Sequence, residues 1–171
     1  MISMWKIHLA AAVILVCATH GAFAANNGGG RSSGARPISA EDLTGIYGGK
    51  TWVWQNGSGY FAKTGEFVAW SGSGEKATYA KGKWTVTDAG RMCMTATWRT
   101  KAGSAENTTC FAHQASAGGN TIYQMKEPSG DWYIFKHAKI RKKDEYAKLR
   151  KGDLASTRAA AISQSIGQVS Q

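Results

Sequence analysis

The chain has 171 residues, with Lys+Arg 21 against Asp+Glu 11 for a formal net charge of +10, and carries 21 Gly, 2 Pro, 7 Trp, 6 Tyr and 5 Phe. That length suits a single hydrophobic core. So many aromatic residues exclude an unfolded chain, and no apolar run reaches the roughly 20 residues of a membrane-spanning helix.

At the N-terminus, Lys6 and His8 precede the apolar run "LAAAVILVCA" and the small-residue stretch "THGAFA", which ends Ala22-x-Ala24. This layout predicts a signal peptide over residues 1–24, cleaved after Ala24. Val16, before Cys17, is bulkier than the residue a lipid-modified cysteine requires. The expected product is exported, periplasmic or extracellular, and not transmembrane once the leader is removed. Residues 25–38, "ANNGGGRSSGARPI", read as a flexible spacer. Ser39 stands three residues before Asp42, as in a capping box, and opens a short helix with Leu43, Ile46 and Tyr47 on one side and Gly48-Gly49 as its stop.

From Thr51 to Lys136 the pattern has period two. The runs are "TWVWQ", "GYFAK", "EFVAWS", "KATYA", "KWTVTD", "RMCMTATWR", "NTTCFAHQ", "TIYQMK" and "DWYIFK". The turns between them are short and Gly-rich, which favours antiparallel hairpins, since parallel crossovers need a dozen or more residues. Eight or nine such strands would leave exposed edges unless the sheet curls, so the expected fold is mainly β, a small up-and-down barrel or a two-layer sandwich. The single β domain spans residues 39–152. It ends in the basic stretch "AKIRKKDEYAKLRKGD", read as a short helix stopped by Gly152. In the tail over residues 153–171, Ala155, Ala159, Ile162, Ile166 and Val169 form a weak helical stripe, but the Gly and Ser content favours a disordered or weakly helical segment.

Two cysteines remain after the leader. Cys93 and Cys110 fall in adjacent runs joined by a hairpin, so a disulfide is the expected state in an oxidising compartment. A zinc site adding His113 and His137 is disfavoured, because Cys110 and His113 are three apart and point to opposite faces of a strand. The two histidines are expected at strand ends, half exposed. There is no Gly-x-Ser-x-Gly elbow, no phosphate loop and no facing carboxylate pair, so no catalytic residue is assigned and neither metal nor cofactor is expected. Lys81 and Lys83 read as solvated and Arg91, with Asp88, as a charge flanking a hairpin turn, with Trp84 packing the hairpin.

The strongest positive signal is aromatic. Trp52 and Trp54 share a face, Phe67 and Trp70 lie on opposite ones, and some strands are apolar on both sides. Surplus rings could line a ligand mouth, which makes Trp52, Trp54, Trp70, Trp84, Trp98 and Trp132 candidates for holding a small apolar ligand or an envelope glycan. Basic charge concentrates in Lys139, Arg141, Lys142, Lys143, Lys148, Arg150 and Lys151, a candidate contact for anionic lipid or polysaccharide. Nucleic acid is not an expected physiological partner of an exported protein.

The motifs "YGGKTW", "GYFAKTGEF", "GKWTV", "GRMC", Trp98, "TCF", His113 and "IYQ" resemble a family of small exported bacterial proteins known only as a domain of unknown function, DUF995. The likeness runs from about Ser39 to Gly152 and implies export and a compact β domain, with no catalytic residue to carry over. A fainter likeness is to lipocalin-type (calycin) barrels, in which a short helix precedes a Gly-x-Trp strand. The sequence therefore favours a non-enzymatic exported binding domain. The alternatives are an envelope protein anchored to polyanions and a hydrolase of envelope polymers.

Overall fold

The computed structural model describes residues 32–167. The expected leader, Cys17, the first part of the expected spacer and the last four residues lie outside the described residues. Within them the order is β1 (Arg36–Pro37), α1 (Ala40–Tyr47), β2 (Lys50–Trp54), β3 (Gly57–Phe61), β4 (Glu66–Ser71), β5 (Thr78–Thr87), β6 (Arg91–Thr100), β7 (Gly103–Ala115), β8 (Ile122–Lys126), β9 (Tyr133–Lys136), β10 (Leu149–Lys151) and α2 (Ser156–Gly167).

The helix α1 starts and stops where its sequence says. The Ser39 hydroxyl accepts the Asp42 N–H at 3.1 Å, and the Gly48 N–H returns to the Thr44 carbonyl. Lys50 then donates its ammonium to the Gly45 and Ile46 carbonyls at 2.6 and 2.7 Å, placing a cation on the negative end of the helix dipole.

Ten strands form one antiparallel sheet in the order β10-β2-β3-β4-β5-β6-β7-β8-β9, with β1 added against β7. The meander expected from the tight turns is present, curled into a half-barrel. Its curl can be read from one ring. Tyr47, fully buried, has its centroid 6.1 Å from Trp52 of β2, 5.1 Å from Phe61 of β3, 5.6 Å from His113 of β7 and 6.0 Å from Phe135 of β9. Strands so far apart in the sheet reach one side chain only if the sheet wraps around it. Between the two end strands β9 and β10, where a closing ladder would run, lies a 3-10 turn at Glu145–Lys148. Its Tyr146 ring packs 5.9 Å from Phe135, and its Glu145 takes a hydrogen bond from the Trp52 indole. A covalent chain segment, in place of backbone pairing, covers the gap.

Four local expectations change. The runs "KATYA" and "KWTVTD" are one strand, β5, because the Lys81-Gly82 step between them continues the ladder, with Gly82 opposite both Phe67 and Ala96. A Cβ at Gly82 would meet the Thr95 carbonyl at 2.0 Å, so this glycine serves close strand approach and not a turn. The end of the expected spacer is ordered: Arg36 and Pro37 pair with Ala115 and Gln114, and Ile38 is buried. The expected basic helix is only the 3-10 turn, after which Leu149, Arg150 and Lys151 form the edge strand beside β2. The tail is a docked helix. Asp153 caps its start by accepting the Ala155 and Ser156 N–H groups at 3.0 and 2.9 Å, and the weak stripe of Ala155, Ala159 and Ile162 is fully buried where α2 packs on β4 and β5. No helix among the described residues is long and apolar enough to cross a membrane.

Candidate functional site: an aromatic cavity in the half-barrel

Alternation along each strand decides which side chains enter the curl. On β6 the inward set is Met92, Met94, Ala96 and Trp98; on β7 it is Asn107, Thr109, Phe111 and His113. The outward positions between them include Cys93 and Cys110, which stand directly opposite with Cα atoms 4.1 Å apart and form a disulfide. With both thiols consumed, the zinc alternative loses its sulfur ligands. Among the described residues no three His, Cys, Asp or Glu side chains are gathered as for a metal ion.

The inward rings leave a cavity of about 210 Å³. Trp52 and Trp54 from β2, Phe61 from β3, Phe67 from β4, Trp98 from β6 and Phe111 from β7 supply its aromatic wall. Met94 and Ala96 extend the apolar surface, and polar groups enter only as Asn107, Thr109 and Glu145. Two glycines on β3 shape it. A Cβ at Gly57 would come within 2.4 Å of the Trp54 indole nitrogen, and one at Gly59 within 2.7 Å of the Phe67 ring, so the bare backbone gives these rings their places. At the β7 side of the wall β8 pairs only with Phe111–Ala115, so no strand among the described residues pairs with Gly103–Thr109 on that edge.

Glu145 is the single ionisable group in this wall. Its Oε2 accepts the Trp52 Nε1–H at 3.1 Å, and its Oε1 accepts from the Lys148 ammonium. The Lys148 side chain is 43 % exposed and the Glu145 side chain 27 %. The segment carrying both is held by Asp144, which is almost fully buried and accepts the backbone N–H groups of His137 and Arg141, each at 3.0 Å, as well as bonding the His137 ring at 2.6 Å. Burial alone would raise the Asp144 carboxyl, but these donors outweigh it and hold it below the ordinary carboxyl value.

Next to Trp52 and Phe61 of the cavity wall lies a polar network that the sequence did not foretell, buried at Tyr47, His113 and Gln124 and reaching the surface at Tyr133. His113 is fully buried, not half exposed at a strand end. Its Nε2 meets the Tyr47 hydroxyl at 2.8 Å and the Gln124 amide nitrogen at 2.7 Å; the same amide donates to the Tyr47 oxygen at 2.9 Å, and the Tyr133 hydroxyl donates to the Gln124 carbonyl oxygen. Burial pushes the His113 imidazole down to about 4, against the opposing pull of the Gly90 and Phe111 backbones. It also pushes Tyr133 up to about 12, aided by the Glu145 charge, and Tyr47 well above its ordinary value. At neutral pH the network is therefore uncharged, with both phenols protonated. Its chemistry is that of a rigid support: each member fixes the rotamer of the next. The period-two pattern of Asn107, Thr109, Phe111 and His113 was the available sign that His113 points inward.

Of the six tryptophans singled out, Trp52, Trp54 and Trp98 line the cavity together. Trp84 is core, its indole N–H bonded to the Ala62 carbonyl at 2.8 Å. Trp70 faces outward beneath α2, with the Arg158 guanidinium 5.7 Å from its ring centre. Trp132 precedes β9 and is not part of the cavity wall. The basic residues are dispersed. Lys139, Arg141, Lys142 and Lys143 are exposed on the connection after β9, Arg150 and Lys151 on β10, and Lys148 is engaged at the cavity rim. Lys81 and Lys83 are exposed, as expected of hairpin charges, whereas Arg91 pairs with Glu127 and the Asp88 carboxylate accepts the Ala40 N–H.

The model of the family described as "Protein of unknown function (DUF995)" matches residues 12–155. No curated protein and no solved structure matches the chain. Since the matched stretch includes both cysteines, every strand and the whole cavity wall, this half-barrel protein belongs to the DUF995 family.

Proposed function

We propose that the protein is an exported, non-enzymatic binding domain that holds a small, mainly apolar molecule in the aromatic cavity. The observation that carries this reading is the convergence of Trp52, Trp54, Trp98, Phe61, Phe67 and Phe111 on one open space of about 210 Å³. Rings that served only as core would be expected to fill that space, since protein interiors are close-packed. A glycan fits less well, because each buried sugar hydroxyl needs a partner and the wall offers only Asn107, Thr109 and Glu145. Export is supported by the expected leader and by the disulfide, which persists in oxidising compartments. Against enzymatic use, His113 is enclosed and bonded to phenol and amide groups.

Native mass spectrometry of protein purified gently from its own cells tests the reading. A reproducible added mass that Trp54→Ala removes is expected. Protein that carries no added mass and whose tryptophan emission is unmoved by any small apolar probe would overturn it.

A second reading keeps a place for the basic loop. Both carboxylates next to it are turned to other partners, Asp144 to His137 and the Arg141 backbone and Glu145 to Trp52 and Lys148, so among the described residues neither forms an ion pair with the side chains of Lys139, Arg141, Lys142 or Lys143. Contact with anionic lipid or polysaccharide would be lost between low and physiological salt. It would also be lost on replacing Arg141, Lys142 and Lys143 with Glu. Undiminished retention of that variant on anionic vesicles would end the idea.

A further inference from the structure

We infer that the ligand of the cavity is a small organic cation, an alkylated ammonium group on a short stem, with Glu145 as its counter-charge. This rests on reading the cavity as a ligand site and adds its chemistry. Glu145 is the only ionisable side chain in the wall, and it is an acid; no cationic side chain lines the space. Trp52, Trp54, Trp98 and Phe111 stand in the wall, and aromatic rings of these types attract a cation through the negative charge density of their faces. An anion would meet repulsion from the carboxylate. A methyl-clad ammonium has a further advantage here. It has no N–H to satisfy, so the scarcity of acceptors in the wall costs it nothing, whereas a hydroxyl-rich or primary ammonium ligand would leave donors unpaired.

The carboxylate is held ready for such an exchange. Its Oε2 is fixed by the Trp52 indole, while Oε1 is occupied by Lys148, which is 43 % exposed on a flexible stem and can swing into water. Lys148 neutralises Glu145 while the cavity is unfilled, and an incoming cation takes its place. Size agrees. An engineered apolar cavity of about 150 Å³ holds benzene, and at that packing the 210 Å³ here accommodates about eight non-hydrogen atoms.

Choline and its uncharged isostere 3,3-dimethyl-1-butanol, both of that size, form the test pair, titrated into the purified protein with tryptophan emission and calorimetry as readouts. Choline is expected to bind at least tenfold more tightly than the isostere. Glu145→Gln should weaken choline at least tenfold and the isostere several-fold less, with the thermal unfolding midpoint checking that the variant is folded. Lys148→Met should tighten choline several-fold by removing the internal competitor. If the isostere binds as well as choline, or if Glu145→Gln leaves choline affinity intact, the cation inference is wrong while the apolar binding site stands. If neither probe binds and no mass is retained from the cells, the inference and the reading beneath it fail together.

Discussion

His113 shows how one side chain can tie stability to pH. It is neutral in the fold, with a proton affinity lowered to about 4 from the ordinary 6.5. Above pH 6.5 neither state holds the proton and the full stability is present. As pH falls from 6.5 towards 4 the unfolded chain takes up the proton first, and stability drops by roughly 3 kcal/mol in all. Urea unfolding between pH 7 and 4 should show this slope, and His113→Gln should flatten it. Asp144 and Asp153, both held below the ordinary carboxyl value, add their losses at lower pH. Cys93 acts on the other side of the balance, by restricting the unfolded chain. Cys93→Ser should lower stability by about 2 to 4 kcal/mol, and thiol titration of the unreduced, unfolded protein should find no free thiol on either Cys93 or Cys110.

Among the elements, α2 and the segment between β9 and β10 do work that the strands cannot. The outer face of β4 and β5 carries Trp70, and α2 covers it, with small Ala155 and Ala159 allowing close approach and Ile162 supplying bulk. Ile162→Ala should lower stability by about 2 kcal/mol or more and make the helix cleavable by protease while the disulfide-linked hairpin resists. The segment over residues 137–148 has a different task. Asp144 gathers its backbone so that Glu145 reaches Trp52, which makes a buried acid outside the cavity wall responsible for the position of the acid next to it in the chain.

For the molecule as a whole, incomplete closure sets the order of local opening. Strands β4 and β6 are paired on both sides along most of their length and β5 along half of its own, and β6 and β7 share the longest ladder and the disulfide. By contrast β10 pairs over three residues and β9 over a short, irregular register, and each has one open edge. Hydrogen exchange should therefore be slowest in β5 to β7 and fastest in β1, β9 and β10. Equal protection across all ten strands would mean that the segment covering the gap seals the half-barrel as firmly as a ladder.

The antiparallel meander, the α1 boundaries and the Cys93–Cys110 pairing were legible in the sequence because each follows from local rules: period-two alternation, short Gly-rich turns, the Ser39 cap and two cysteines in neighbouring runs. Family membership was legible for a similar reason, through short Gly/aromatic motifs. What depended on distant partners was not. Gly82 reads as a turn until Phe67 and Ala96 are seen on either side of it, and the tail reads as disordered until the outer face of β4 and β5 is seen to need cover. The cavity belongs to the same class. Trp52, Trp54 and Trp98 were among the candidate rings, but that these three converge while Trp84 fills core and Trp70 turns outward depends on the curl of the sheet. So does the meeting of Glu145 with Trp52, 93 residues apart in the chain, since no sequence pattern encodes a contact made only by wrapping.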